Sequence, residues 1–181
     1  MKDSFILKQG KVLIYPTDTI WGIGCSALDV DAVEKVKNIK GRDNTKSLIV
    51  LVKDLEMLGE YVKEIPQVAF DLIKYAQEPV TIVYNNPKNL PVENLSSNGK
   101  IGIRIPKNNY LQDLFKEFPY PIVSTSANFS GKPSPVTFAD IDKEFLLKAD
   151  YVSEYNREIN NHSHGSSIYL IQEDNTLKKL R

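Results

Sequence analysis

Cysteine is nearly absent from this sequence: Cys25 stands alone in 181 residues. A lone thiol closes no disulfide within the chain, and a zinc site built on cysteines needs several of them. Histidine is almost as scarce. The two there are, His162 and His164, lie in Asn-His-Ser-His-Gly with no carboxylate or thiolate cluster beside them, so they read as loop residues and no protein metal site is expected. No apolar run approaches the about 18 residues that span a bilayer. The first ten residues, MKDSFILKQG, are too short and too polar for a secretory signal. Net charge is missing as well, with 23 Lys and Arg against 23 Asp and Glu. A wholly electrostatic nucleic-acid binder would be basic, although a local basic cleft stays open. The phosphate-loop, zinc-protease, nucleophile-elbow and calcium-loop signatures are not there either. Internal repeats, low-complexity tracts and a convincing linker are missing too. These absences describe a soluble protein of a reducing compartment, most simply the cytoplasm, with no membrane role.

What is present is ordinary for a globular chain: 41% hydrophobic and 25% charged residues exclude wholesale disorder. The length suffices for one buried core, and residues 1–181 read as one domain. Short strand-like runs alternate with helical ones. Lys11 to Tyr15 is a strand stopped by Pro16. Asp29 caps a helix with Ala32, Val33, Val36 and Ile39 on its apolar face, and Gly41 ends it. Ser47 to Val52 is a continuous apolar run of the kind found in buried strands. Pro66 suits a first helical position, with Val68, Ala69, Leu72, Ile73 and Ala76 on one face. Val80 to Tyr84 is a strand. So is Ile101 to Ile105, with three isoleucines on one face and Gly102 and Arg104 on the other. Leu111, Leu114, Phe115 and Phe118 mark a further helix. Pro121 to Thr125 is a strand running into a polar loop, Thr137 and Asp140 form a capping box, and Ser167 to Ile171 is a late strand. Strands and helices without strict alternation predict an α/β fold with a mixed, twisted sheet.

Four segments carry candidate chemistry. In Tyr15-Pro-Thr-Asp-Thr-Ile-Trp-Gly a strand end delivers Thr17, Asp18 and Thr19, which serve a ligand or a plain turn. The Gly22-x-Gly24 that follows resembles a dinucleotide-binding fingerprint but lacks the immediate helix, and suits a bent strand or loop better. Lys40, Arg42 and Lys46 place three cations within seven residues, suited to a polyanion. Lys40 could equally oppose the helix macrodipole. Arg104 lies in mid-strand and needs a partner, a ligand or a solvated face. Ser124 to Ser134 gathers five hydroxyls and the Asn128 amide, donors for phosphate, ribose or carboxylate oxygens. No histidine accompanies that loop, which argues against a serine nucleophile.

Taken in order, YPTDTIWGIG, KGRDNTKSLIVLV, GIRIP, STSANFSGKPS and GSSIYLI resemble the YrdC-like family, over Phe5 to Ile171. The resemblance implies an α/β fold in which a mixed parallel and antiparallel sheet, flanked by helices, surrounds a concave basic cavity. It also implies a nucleotidyltransferase, a threonylcarbamoyl-AMP synthase that joins threonine, bicarbonate and ATP with release of pyrophosphate. A downstream transferase complex then moves the threonylcarbamoyl group to adenosine of tRNA. By the same resemblance Lys40, Arg42, Ser126 and Asn128 are the catalytic signature. ATP would meet Arg42, Lys46, Ser126 and Ser134, and threonine would meet Thr19, Arg104, Ser124 and Ser166. Magnesium would arrive with ATP. Asp43 stands where the family often has proline, and Trp21 where it has tyrosine or phenylalanine. The chain is also expected to lack the extra C-terminal domain of longer relatives. Two rivals remain: a non-catalytic module binding tRNA or duplex RNA, and a related carbamoyl- or acyl-adenylate synthase. The nine tyrosines and seven phenylalanines are not interleaved with basic residues as in an RNA-recognition motif.

Overall fold

A computed structural model describes residues 1–41, 48–158 and 165–181. In chain order the elements are α1 (Lys2–Lys8), β1 (Leu13–Tyr15), β2 (Gly22–Ser26), α2 (Val30–Lys40), β3 (Ile49–Leu51), α3 (Leu55–Tyr61) and α4 (Gln67–Tyr75). Then come β4 (Val80–Tyr84), β5 (Ile101–Arg104), α5 (Asn109–Glu117), β6 (Ile122–Ser126), α6 (Lys143–Leu146), β7 (Tyr151–Val152), β8 (Ser167–Ile171) and β9 (Leu177–Lys179). The strands form one sheet in the order β7-β1-β2-β6-β3-β5-β4-β8-β9. Pairs β1–β7, β3–β5 and β4–β8 are parallel and the other pairs antiparallel, so the sheet is mixed as expected.

The ladder fixes which side chains share a face. Gly24 pairs with Ser124, Ser124 with Ile49, Ile49 with Gly102, and Gly102 with Val83. Side chains alternate along a strand, so Gly22, Ser126, Arg104 and Thr81 lie on that same face. Glycine, serine and threonine predominate on it, with Arg104 as its charge and Ile49 and Val83 as its apolar members. The opposite face carries buried Ile23, Cys25, Val123, Val50, Ile103 and Ile82. There Leu58 of α3 and Ile73 of α4 close against Ile82, Tyr84 and Ile103 around a void of only 10 Å³. Burial holds the Cys25 thiol far above its ordinary pKa, which makes it a core residue and no nucleophile.

Local chemistry sets the element ends. The Asp29 carboxylate accepts from the Ala32 amide at the start of α2, and Gly41 ends that helix in the left-handed region at φ 58°. Asp54 and Asn108 cap α3 and α5 in the same way. Pro66 takes the cap position of α4 rather than its first turn. Of the apolar face read for α4, only Ala69 is fully buried, because this helix lies at the outside of the layer. The capping box of Thr137 and Asp140 forms, on a single 3-10 turn. Ile105 falls just beyond β5, where Pro106 follows.

Candidate functional site

The loop after β1 turns on its own hydroxyls. Thr17 Oγ1 donates to the Ile20 carbonyl at 2.7 Å and accepts from the Thr19 amide at 3.0 Å. Its 2.9 Å bond to Thr19 Oγ1 must therefore use the Thr19 proton. Thr19 Oγ1 in turn accepts from Arg104 Nη1 at 3.1 Å. Arg104 also pairs with Asp18, Nη2 to Oδ1 at 3.3 Å, with both side chains nearly buried. Its Nε is buried with no hydrogen-bond partner among the described residues. The arginine on the polar sheet face is thus held by the loop, with donor capacity to spare.

Lys40, at the end of α2, points its ammonium into the loop after β6. Nζ donates to the Ser126 carbonyl at 2.6 Å, the Asn128 carbonyl at 2.5 Å and Asn128 Oδ1 at 3.0 Å, with Ser126 Oγ at 3.3 Å. Asn128 Nδ2 reaches the carbonyls of Phe129 at 3.1 Å and Lys132 at 2.5 Å. The Ser130 amide closes the contact on the Lys40 carbonyl at 3.1 Å. A buried ammonium needs such acceptors, and together they fix the shape of the loop.

Above the polar face lies a cavity of about 410 Å³. Thr19, Arg104, Ser124, Ser126, Ser134 and Ser166 all line it. So do Thr81, whose Oγ1 lies 2.7 Å from Ser166 Oγ, and Arg181. Arg181 donates from Nε and Nη2 to the Ser166 carbonyl at 3.2 and 2.9 Å. The glycines of β2 make room. A Cβ on Gly22 would sit 3.1 Å from Ser124 Oγ, and one on Gly24 would sit 1.9 Å from the Val123 carbonyl. A larger groove, about 890 Å³, opens near Glu64, Lys100, Glu173 and Lys178. Its charges are mixed and none of the polar motifs reaches it, so the smaller cavity is the better candidate.

Six of the residues singled out from sequence therefore surround one cavity. Lys40 and Asn128 do not line it; they stand behind Ser126, because the Lys40 ammonium is drawn to loop carbonyls. Arg42, Lys46, His162 and His164 lie outside the described residues. Sequence reasoning missed Thr81 and Arg181. Thr81 sits in an apolar strand that gives no polar signal, and Arg181 reads as one cation in a charged tail. Among the described residues no group of three or more His, Cys, Asp or Glu side chains could hold a metal ion. Likewise no helix is long and apolar enough to cross a membrane.

The profile of the Sua5/YciO/YrdC family, described as "Telomere recombination", matches residues 5–181. A threonylcarbamoyl-AMP synthase of Pseudoalteromonas translucida is 32% identical over 148 residues, 80% of this chain and 79% of its own. A Methanocaldococcus jannaschii protein that carries the same name provisionally is 37% identical over 168 residues, 92% of this chain and 77% of its own. The threonylcarbamoyl-AMP synthase of Pyrococcus abyssi is 33% identical over 149 residues, but the match spans only 43% of that longer protein. The crystal structure of P. abyssi Sua5 complexed with L-threonine superposes with a TM-score of 0.86 at 28% identity, over 98% of this chain and 52% of that one. Escherichia coli YciO, at 24% identity and a TM-score of 0.82, shares the fold.

Proposed function

The chain belongs to the Sua5/YciO/YrdC family, and on that footing we propose that it is a threonylcarbamoyl-AMP synthase acting as one domain over residues 1–181. The observation that carries the reading is the convergence of Arg104, Thr19, Ser124 and Ser166 on the cavity that Ser126 and Ser134 also line. The P. abyssi relative of the same fold binds L-threonine.

The chemistry follows from these groups. Once the threonine ammonium has given up a proton, its nitrogen condenses with bicarbonate to a carbamate with loss of water. A carbamate oxygen attacks the α-phosphorus of ATP, the bond to the β-phosphate breaks, and pyrophosphate leaves. No protein nucleophile is needed, so orientation supplies much of the rate. Arg104 receives the threonine carboxylate and Asp18 its ammonium, which exchanges their mutual pairing for contacts to a zwitterion. Ser126 and Ser134 donate to nucleotide oxygens, and Arg42, Lys46 and Arg181 neutralise the charge that builds on the departing pyrophosphate. Lys40 and Asn128 hold the Ser126 loop in place for that contact. Magnesium comes with the nucleotide, held by phosphates and water. The adenylate passes to a transferase complex that modifies tRNA, in the cytoplasm.

The test is direct. Protein, ATP, threonine and bicarbonate should give pyrophosphate and threonylcarbamoyl-AMP, identified by mass. Bicarbonate-independent turnover would point to a different adenylate synthase. Tight binding of tRNA or duplex RNA with no product would favour a non-catalytic RNA module.

A further inference from the structure

Thr81 and Ser166 are buried hydroxyls 2.7 Å apart, and both line the cavity. Neither hydroxyl makes another hydrogen bond among the described residues. Two hydroxyls bring two protons and one bond uses one of them, so the second is left for an acceptor in the cavity. Ser166 is fixed on its other side, where Arg181 grips its carbonyl. Thr81 is anchored in β4. The ladder pairs Ile82 with Ile103 and Val83 with Gly102, and its next step sets Thr81 beside Arg104. The buried Nε of Arg104 also lacks an acceptor among the described residues. Donors on adjacent strands that no acceptor among the described residues receives suit a ligand oxygen, and beside a guanidinium a carboxylate suits best.

Resting on the synthase reading above, we infer that Thr81 is a positioning residue for the amino-acid substrate. It donates to Ser166 Oγ, and that bond turns the Ser166 proton toward a carboxylate oxygen that Arg104 also holds. Thr81 thereby sets the direction of a hydrogen bond it does not itself make. Ile82, next in β4, faces the core on the other side of the sheet, so the Thr81 hydroxyl is directed to the cavity side.

The experiment compares wild type with Thr81→Val, Thr81→Ser, Ser166→Ala and the Thr81→Val/Ser166→Ala pair. Steady-state product formation is measured against threonine and against ATP. Thr81→Val should raise KM for threonine about fivefold, with kcat and KM for ATP within about twofold of wild type. Thr81→Ser, which keeps the hydroxyl, should restore KM. Adding Thr81→Val to Ser166→Ala should change little further, because the two act through one contact. If Thr81→Val leaves KM for threonine unchanged, or the two effects simply add, the inference falls and the synthase reading stands. If wild type itself makes no threonylcarbamoyl-AMP, both fall together. A general loosening of the fold would move kcat and both KM values and would also count against Thr81.

Discussion

Arg104 Nη2 and Asp18 Oδ1 face each other at 3.3 Å, a strand-borne cation held by a loop-borne anion inside the candidate cavity. Arg104→Met should raise KM for threonine more than tenfold and change KM for ATP little. It should also lower the melting temperature, since it removes the cation paired with a nearly buried carboxylate, a loss on the order of 3 kcal/mol. Calorimetry and kinetics on the one variant check both halves.

Lys40→Met removes the ammonium that gathers the Ser126 and Asn128 carbonyls. Urea unfolding should show a loss of about 2–3 kcal/mol, the range for hydrogen bonds to a charged group. Activity should fall by more than the stability change explains, because Ser126 would no longer be held at the cavity wall. Lys40→Arg should not rescue it, as a planar guanidinium cannot reach the same converging acceptors.

Two glycines give a contrast. Gly24→Ala places a Cβ 1.9 Å from the Val123 carbonyl, a backbone atom that cannot step aside, and should cost on the order of 3 kcal/mol or prevent folding. Gly59→Ala, within α3 with nothing inside 4 Å of the new Cβ, should stabilise by about 0.5–1 kcal/mol. Paired thermal melts decide the matter.

Asp150 accepts from the Val12 amide at 2.8 Å and from Lys35 Nζ at 2.5 Å, linking α2 to the β1–β7 edge. Burial pushes its pKa up, but the Lys35 and Val12 contacts outweigh burial and hold the carboxyl below its ordinary value. A depressed folded-state pKa contributes stability that is present above the unfolded value and fades as acid titrates the folded group. Stability should therefore decline below about pH 4. In Asp150→Asn that decline should be shallower, as read by urea midpoints across pH.

Much of the fold is legible in the chain. Residues 80–84 and 167–171 form strands at the bounds their β-branched and apolar runs suggest, and Asp29 and Gly41 mark α2 at both ends. The sequence is silent where composition misleads. Strand β2, Gly-Ile-Gly-Cys-Ser, has poor strand propensity and forms because β1 and β6 pair with it on both sides. Helices α1 and α3 have seven residues each, too few for a clear period, and α3 contains Gly59. Edge strand β9 is Leu-Lys-Lys and looks like a solvated tail. In the candidate site, residues within dense polar motifs stood out. The latch role of Lys40 did not, since a cation ending a helix reads the same whether it meets the macrodipole, a phosphate or a carbonyl cluster.

The strand order has a kinetic consequence. β1 lies beside β7, β2 beside β6 and β4 beside β8, so several neighbours in the sheet are far apart in the chain. Thr17 and Arg181, which border the same cavity, stand near opposite ends of the chain. Pairings of such long sequence separation require large loops to close before any contact compensates them, which slows folding. Refolding should therefore be slow for a chain of this size. Ligand protection should appear only in its last phase, because no early segment contains enough of the cavity to bind anything.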